Sequence, residues 1–186
     1  MLIHKTDIDR ACLPCYNGPM EKMIQQAIAA FEMPQYNQLP NMGLYLEQTV
    51  KYINSVVAPL GCVEVTGSMI RNYVKMGLIA NPEKKMYYAT HIAHLFPIVL
   101  LKQVVPLEQV SFLFCKQKQV YSDEVAYNYF CKELKNILDY RFGIKDRSEE
   151  LGQTHSLEKE MLRSAITAVS HVIFLNACIH HLQNQA

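Results

Sequence analysis

No glycine-rich phosphate loop, Gly-x-Ser-x-Gly elbow, His-Glu-x-x-His pair or paired-carboxylate segment occurs in the 186 residues. Each pattern carries a standard catalytic chemistry, so their joint absence points away from an enzyme. Covalent catalysis would need Cys62 to meet a histidine through the fold, which spacing neither requires nor forbids. An excess of one charge is also missing: 18 Lys and Arg stand against 17 Asp and Glu, a formal +1. Such a chain is no polycation that coats nucleic acid or membrane, and any nucleic-acid role must come from a local patch. The opening MLIHKTDIDR has charges early and no apolar run before a small-residue cleavage site, so it does not read as a secretory leader. The charge-free apolar stretch 92–101 contains His94 and Pro97 and is too short to span a bilayer. These absences give the expectation of a soluble, cytoplasmic protein with no membrane partner. Internal repeats and low-complexity tracts are lacking, and β-rich segments are lacking beyond one wing, so the fold is expected to be all-α.

Half of the residues are hydrophobic, enough for a buried core in a chain of this length. Without a secretory leader, Cys12, Cys15, Cys62, Cys115, Cys131 and Cys178 read as reduced thiols, most of them in apolar surroundings. Cys12 and Cys15 have the spacing of a redox or chelating pair, but a structural zinc site needs four ligands and no second pair accompanies them. Their expected role is incidental, and no metal or other cofactor is expected. His91 and His94 share a helical face with no acidic or thiol partner nearby in sequence, so surface and capping roles are expected.

The stretch 66–88, TGSMIRNYVKMGLIANPEKKMYY, sorts its side chains by chemistry. Met69, Ile70, Tyr73 and Val74 make an apolar stripe at helical spacing, and Ser68, Arg71, Asn72 and Lys75 make a polar one. Thr66 is placed to cap this helix and Gly77 to end it in a left-handed turn. Guanidinium, carboxamide, ammonium and hydroxyl groups on one face are those that meet base edges and phosphates in a major groove. A turn at Asn81-Pro82 leads into Lys84, Lys85, Tyr87 and Tyr88, and the segment carries a local excess of three positive charges.

Upstream, Gly18-Pro19 opens a helix with Met20, Met23, Ile24, Ala27, Ile28 and Phe31 on one face. From Leu44 a second helix carries Leu46, Val50, Ile53, Val57 and Leu60 at helical spacing and stops at Pro59-Leu60-Gly61. Downstream, Thr90 is the expected cap of a helix that Pro97 should kink or split. Further helices begin after Pro106 and at Ser122, a charged loop fills 145–153, and a long apolar helix runs over 157–182, greasy on more than one side. Two helices joined by a short turn and followed by a basic loop are the parts of a winged helix-turn-helix.

The run from Thr66 to Ile79, with Lys84-Lys85, Tyr87-Tyr88, His91-Ile92, Leu95 and Leu107-Glu108-Gln109-Val110, resembles the DNA-binding half of the mercury-resistance regulator (MerR) family. With Leu39-Pro40 and Leu44-Tyr45-Leu46-Glu47-Gln48 added, it is more similar to an uncharacterised domain-of-unknown-function family (DUF1836) of low-GC Gram-positive bacteria. The resemblance covers about 35–142. It implies a MerR-like winged helix-turn-helix with additional C-terminal helices, binding to double-stranded DNA, and a homodimer. The wing here lacks the usual Gly-Tyr-Arg, Asn72 stands where a tyrosine is common, and the last helix has no charged heptad seam.

The expected organisation is a leading segment and helix over 1–34, the winged unit over 35–118 and a C-terminal helical region for dimerisation or effector binding over 119–186. Ser68, Arg71, Asn72 and Lys75 would meet the groove, and Lys84 and Lys85 the phosphates. One of Tyr87 and Tyr88, taken as Tyr88, would pack on the DNA backbone while the other joins the core. The leading reading is a DNA-binding transcriptional regulator. The alternative is a helical module that senses a small-molecule effector or docks a protein, without using its winged face on DNA.

Overall fold

A computed structural model describes residues 19–61, 64–152 and 156–183, and its described residues are mostly helical, with seven α-helices and a single two-stranded sheet. Pro19 opens α1 (Pro19–Ala29), where a missing N–H is tolerated in the first turn. Ile28 and Phe31 are buried, as the periodicity predicts. The connector that follows is pinned to a helix almost a hundred residues away: the Tyr36 N–H donates to Asn128 Oδ1 at 2.8 Å, and the Tyr127 hydroxyl donates to the Pro34 carbonyl at 2.9 Å.

Leu44, expected to open a helix, lies instead in β1 (Leu44–Tyr45), paired antiparallel with β2 (Met86–Tyr87) so that Leu44 faces Tyr87. Gly43 permits the approach, because a Cβ there would fall 2.7 Å from Met86 Cβ and 2.9 Å from Tyr88 Cζ. The helical periodicity holds only from α2 (Leu46–Val57), whose Ile53 and Val57, with Leu60 in the short 3-10 turn beyond, are buried.

The turn between α2 and α3 (Gly67–Lys75) is held by one side chain. Asn54 Nδ2 donates to the Val65 carbonyl at 3.0 Å, and the Val65 N–H donates to Asn54 Oδ1 at 2.9 Å. Thr66 caps α3 as expected, its hydroxyl accepting from the Met69 N–H at 3.3 Å, and Gly77 takes φ +73 at the exit. Ile70 and Tyr73 turn inward, which leaves the polar stripe outside.

α4 (Ala89–Leu101) is the pivot of the packing: it contacts α2, α5 (Leu107–Lys118), α6 (Asp123–Arg141) and α7 (Leu157–Gln183), and every residue from His91 to Leu101 is buried. Its cap is Tyr88 rather than Thr90, since the Tyr88 N–H donates to His91 Nδ1 at 3.0 Å and the helix starts one residue before Thr90. Pro97 does not split it. The proline forgoes one backbone hydrogen bond, and neighbours on several sides hold the helix through that gap. Ser122 caps α6 as expected, accepting from the Val125 N–H at 3.4 Å.

α7 runs along α6 and buries Ala165, Ile166, Val169, Ser170 and Ile173. Leu157, Met161, Leu175, Ile179 and Leu182 stay exposed on it, and by length and composition alone the helix could cross a membrane. Between α6 and α7, the fully buried Glu133 meets Arg163, Nη1 to Oε1 at 3.1 Å. Arg163 Nη2 also donates to Ser148 Oγ at 3.1 Å and to the Glu149 carbonyl at 3.2 Å. Asn136 clamps Glu149 through both backbone groups, so the 145–152 segment is tied down at its end.

Candidate nucleic-acid interface and helical cavity

All four groove-facing candidates on α3, Ser68, Arg71, Asn72 and Lys75, are exposed, and so are Lys84 and Lys85. Among the described residues, Arg71, Lys75, Lys84 and Lys85 take part in no ion pair. Asn72 Nδ2 lies 3.4 Å from Met76 Sδ, a weak contact that a better acceptor would displace.

The basic loop is a tight hairpin. Glu83 and Met86 exchange two backbone hydrogen bonds of 3.0 and 2.9 Å, leaving Lys84 and Lys85 as the two turn residues, with φ +49 and +68. Positive φ at both central positions is the requirement of a type I′ turn, normally met by Asn-Gly. Two lysines there cost about 1–2 kcal/mol each relative to glycine. The turn puts two consecutive lysines at an exposed tip.

Of the two tyrosines, Tyr87 is the one that joins the core. Tyr87 is 3 % exposed, and burial raises its pKa, while the Arg71 guanidinium is near enough to pull it the other way. That influence puts α3 and the hairpin within electrostatic reach of each other. Tyr88 is half-buried, with its ring 6.3 Å from that of His91. His91 does cap, as expected, but from a buried position: Nδ1 accepts from Tyr88, so Nε2–H donates to the Asn81 carbonyl at 3.2 Å. One imidazole thereby anchors both ends of the hairpin segment to α4.

His94 departs from its expected surface role. It is buried, its Nδ1 lies 2.8 Å from the Thr90 carbonyl, its ring meets Phe114 edge to face, and its Nε2 lies 3.3 Å from Asp123 Oδ1. The acidic partner comes from α6, beyond the reach of local sequence reasoning. Burial lowers the His94 pKa, with Lys118 acting in the same direction and Asp123 against it.

His94 and Asp123 line a cavity of about 450 Å³ enclosed by α4, α5, α6 and the start of α7. Pro97, Leu101, Leu113, Ala126, Phe130 and Leu162 supply apolar wall. Effector binding was expected within 119–186, and α4 and α5 supply walls from outside that span. Among the described residues, no group of three His, Cys, Asp or Glu side chains is arranged to hold a metal ion. Cys12, Cys15 and Cys62 lie outside the described residues. Cys131 is buried beside Tyr127, and burial pushes its thiol up to about 12, which makes it a poor nucleophile.

No curated protein and no solved structure matches the chain. A family model does match, over residues 34–139, from the connector before β1 to the last turns of α6. The matched span is more than half of the chain, and the protein belongs to the family described as Domain of unknown function (DUF1836).

Proposed function

We propose that this chain is a DNA-binding transcriptional regulator of the cytoplasm, a MerR-like winged helix-turn-helix with additional C-terminal helices that works as a homodimer on double-stranded DNA. In this reading α2, the Asn54-clamped turn and α3 form the helix-turn-helix, and 79–88 with β1 forms the wing. One observation carries it: four cations on α3 and the hairpin tip have no ion-pair partner among the described residues, and two of them are held in a strained turn. Backbone strain held at an exposed basic tip is the kind of outlier that signals function. Ser68, Arg71, Asn72 and Lys75 would face the groove, while Lys84 and Lys85 would face phosphates and Tyr88 would pack beside them. The exposed apolar stripe on α7 supplies the dimer contact.

Fluorescence anisotropy with a random duplex across a salt series tests it. Affinity should fall by about 0.9 log units per log salt for each phosphate neutralised, and the double variant Lys84→Ala/Lys85→Ala should lower that slope by roughly two phosphates' worth. Absence of binding at low salt ends the reading.

The cavity favours a second reading, in which the helical half senses a small-molecule effector. The two are compatible, since α4 is both a wall of the cavity and the helix to which His91 ties the hairpin.

A further inference from the structure

The polar corner of the cavity is short of hydrogens. Thr90 offers only a carbonyl to His94, so Nδ1 carries a hydrogen; burial lowers the pKa and favours the neutral ring, which presents a lone pair at Nε2. Asp123 Oδ1, 3.3 Å away, is an acceptor too. The His94 side chain is nine-tenths buried, and its Nε2 has no aligned hydrogen-bond partner. A buried polar atom left in this state costs free energy until a donor arrives. Most of the remaining lining is apolar and aromatic, with Lys116, Gln117, Glu158 and Lys159 as its other polar members, and the volume lies within the range of small-molecule sites.

The geometry points to a binding site for an apolar molecule bearing a primary ammonium, its body lying between α4, α5, α6 and α7 and its head bridging His94 Nε2 and Asp123 Oδ1. A primary ammonium has three hydrogens for the two acceptors, and its charge is answered by Asp123. An alcohol has one hydrogen and satisfies a single acceptor. A carboxylate has none and adds a like charge beside Asp123. Lys116 and Lys159 also line the cavity and would favour an anion. They are drawn toward the Phe112 and Tyr129 rings, at 5.6 and 5.5 Å. A carboxylate there would leave the His94 and Asp123 acceptors unmet. This assignment rests on the effector reading of the cavity and not on DNA binding.

Calorimetry on the full chain with two matched probe series tests it: 4-phenylbutylamine, 4-phenylbutan-1-ol and 4-phenylbutyrate, then decylamine, 1-decanol and decanoate. Within a series only the head changes. The amine should bind about tenfold more tightly than the alcohol, and the carboxylate should be weakest. Asp123→Asn removes the charge that answers the ammonium, so the margin of the amine over the alcohol should disappear. Ala126→Phe, which fills the apolar wall, should weaken every probe, and far-UV circular dichroism checks that both variants fold. Equal binding of all heads, or tightest binding of the carboxylate, overturns the ammonium assignment while leaving an occupied cavity. Failure of all six probes to bind below millimolar concentration overturns the site itself.

Discussion

Replacing Arg163 with Met tests whether the Glu133–Arg163 pair joins α6 to α7. Glu133 is fully buried and Arg163 is 24 % exposed, with 3.1 Å between the charged atoms. At that distance, with an effective dielectric of about 20, the gross attraction is about 5 kcal/mol. Removing one partner of a buried pair typically costs about 3–5 kcal/mol, and the partial exposure of Arg163 argues for the lower end, about 3 kcal/mol. In a chain of this size that corresponds to a fall in Tm of roughly 6–12 °C. The loss should also depend on pH in a defined direction. Burial holds the Glu133 carboxyl above its usual range, and Arg163 and Asn136 pull it down, so the variant raises it further. A group whose folded pKa is raised contributes stability that is complete below its unfolded value and is lost as pH climbs through the folded one. Urea unfolding followed by circular dichroism should therefore find a smaller deficit at pH 5 than at pH 7.5. The double variant Glu133→Gln/Arg163→Met should recover much of the loss at pH 7.5. A deficit below about 1 kcal/mol, or one that is the same at both pH values, would refute the reasoning.

Other outcomes follow from the same geometry. Lys84→Gly with Lys85→Gly should raise stability by about 1 kcal/mol per position, because the turn no longer holds side chains at positive φ; under the proposed DNA-binding function, the salt dependence of binding should fall at the same time. Denaturation and anisotropy on one preparation would show both, and a destabilised variant would contradict the turn assignment. Asn54→Ala leaves both backbone groups of the buried Val65 without partners and should cost about 2 kcal/mol, measured by thermal melting; a loss under a few tenths would mean the clamp is idle.

Local chemistry was legible along the chain wherever cause and effect lie within one turn of helix. Thr66 and Ser122 cap as their types suggest, Gly77 takes the left-handed exit, and the inward stripe of α3 follows its period. Leu44 and Tyr45 misled because a two-residue strand has no period of its own, and its partner, β2, lies some forty residues away. Thr90 looked like the cap because its residue type fits, but His91, one residue further on, already serves Tyr88. The candidate interface residues are all at least partly exposed, with the cations in no ion pair among the described residues, yet the Lys84-Lys85 turn strain is a backbone property that composition does not announce. Asn54, Asn136 and the His94–Asp123 approach were invisible for a common reason: each joins segments that only the fold brings together.

Because α4 is walled in from His91 to Leu101, the molecule offers no clean seam between its lysine-tipped hairpin and its cavity. An excised fragment ending at 118 would strip α6 and α7 from that helix and lay its leucines and Phe96 open to water. The family match, running on to residue 139, takes in nearly all of α6. A graft of the hairpin unit onto another protein would have to bring that scaffold along or aggregate.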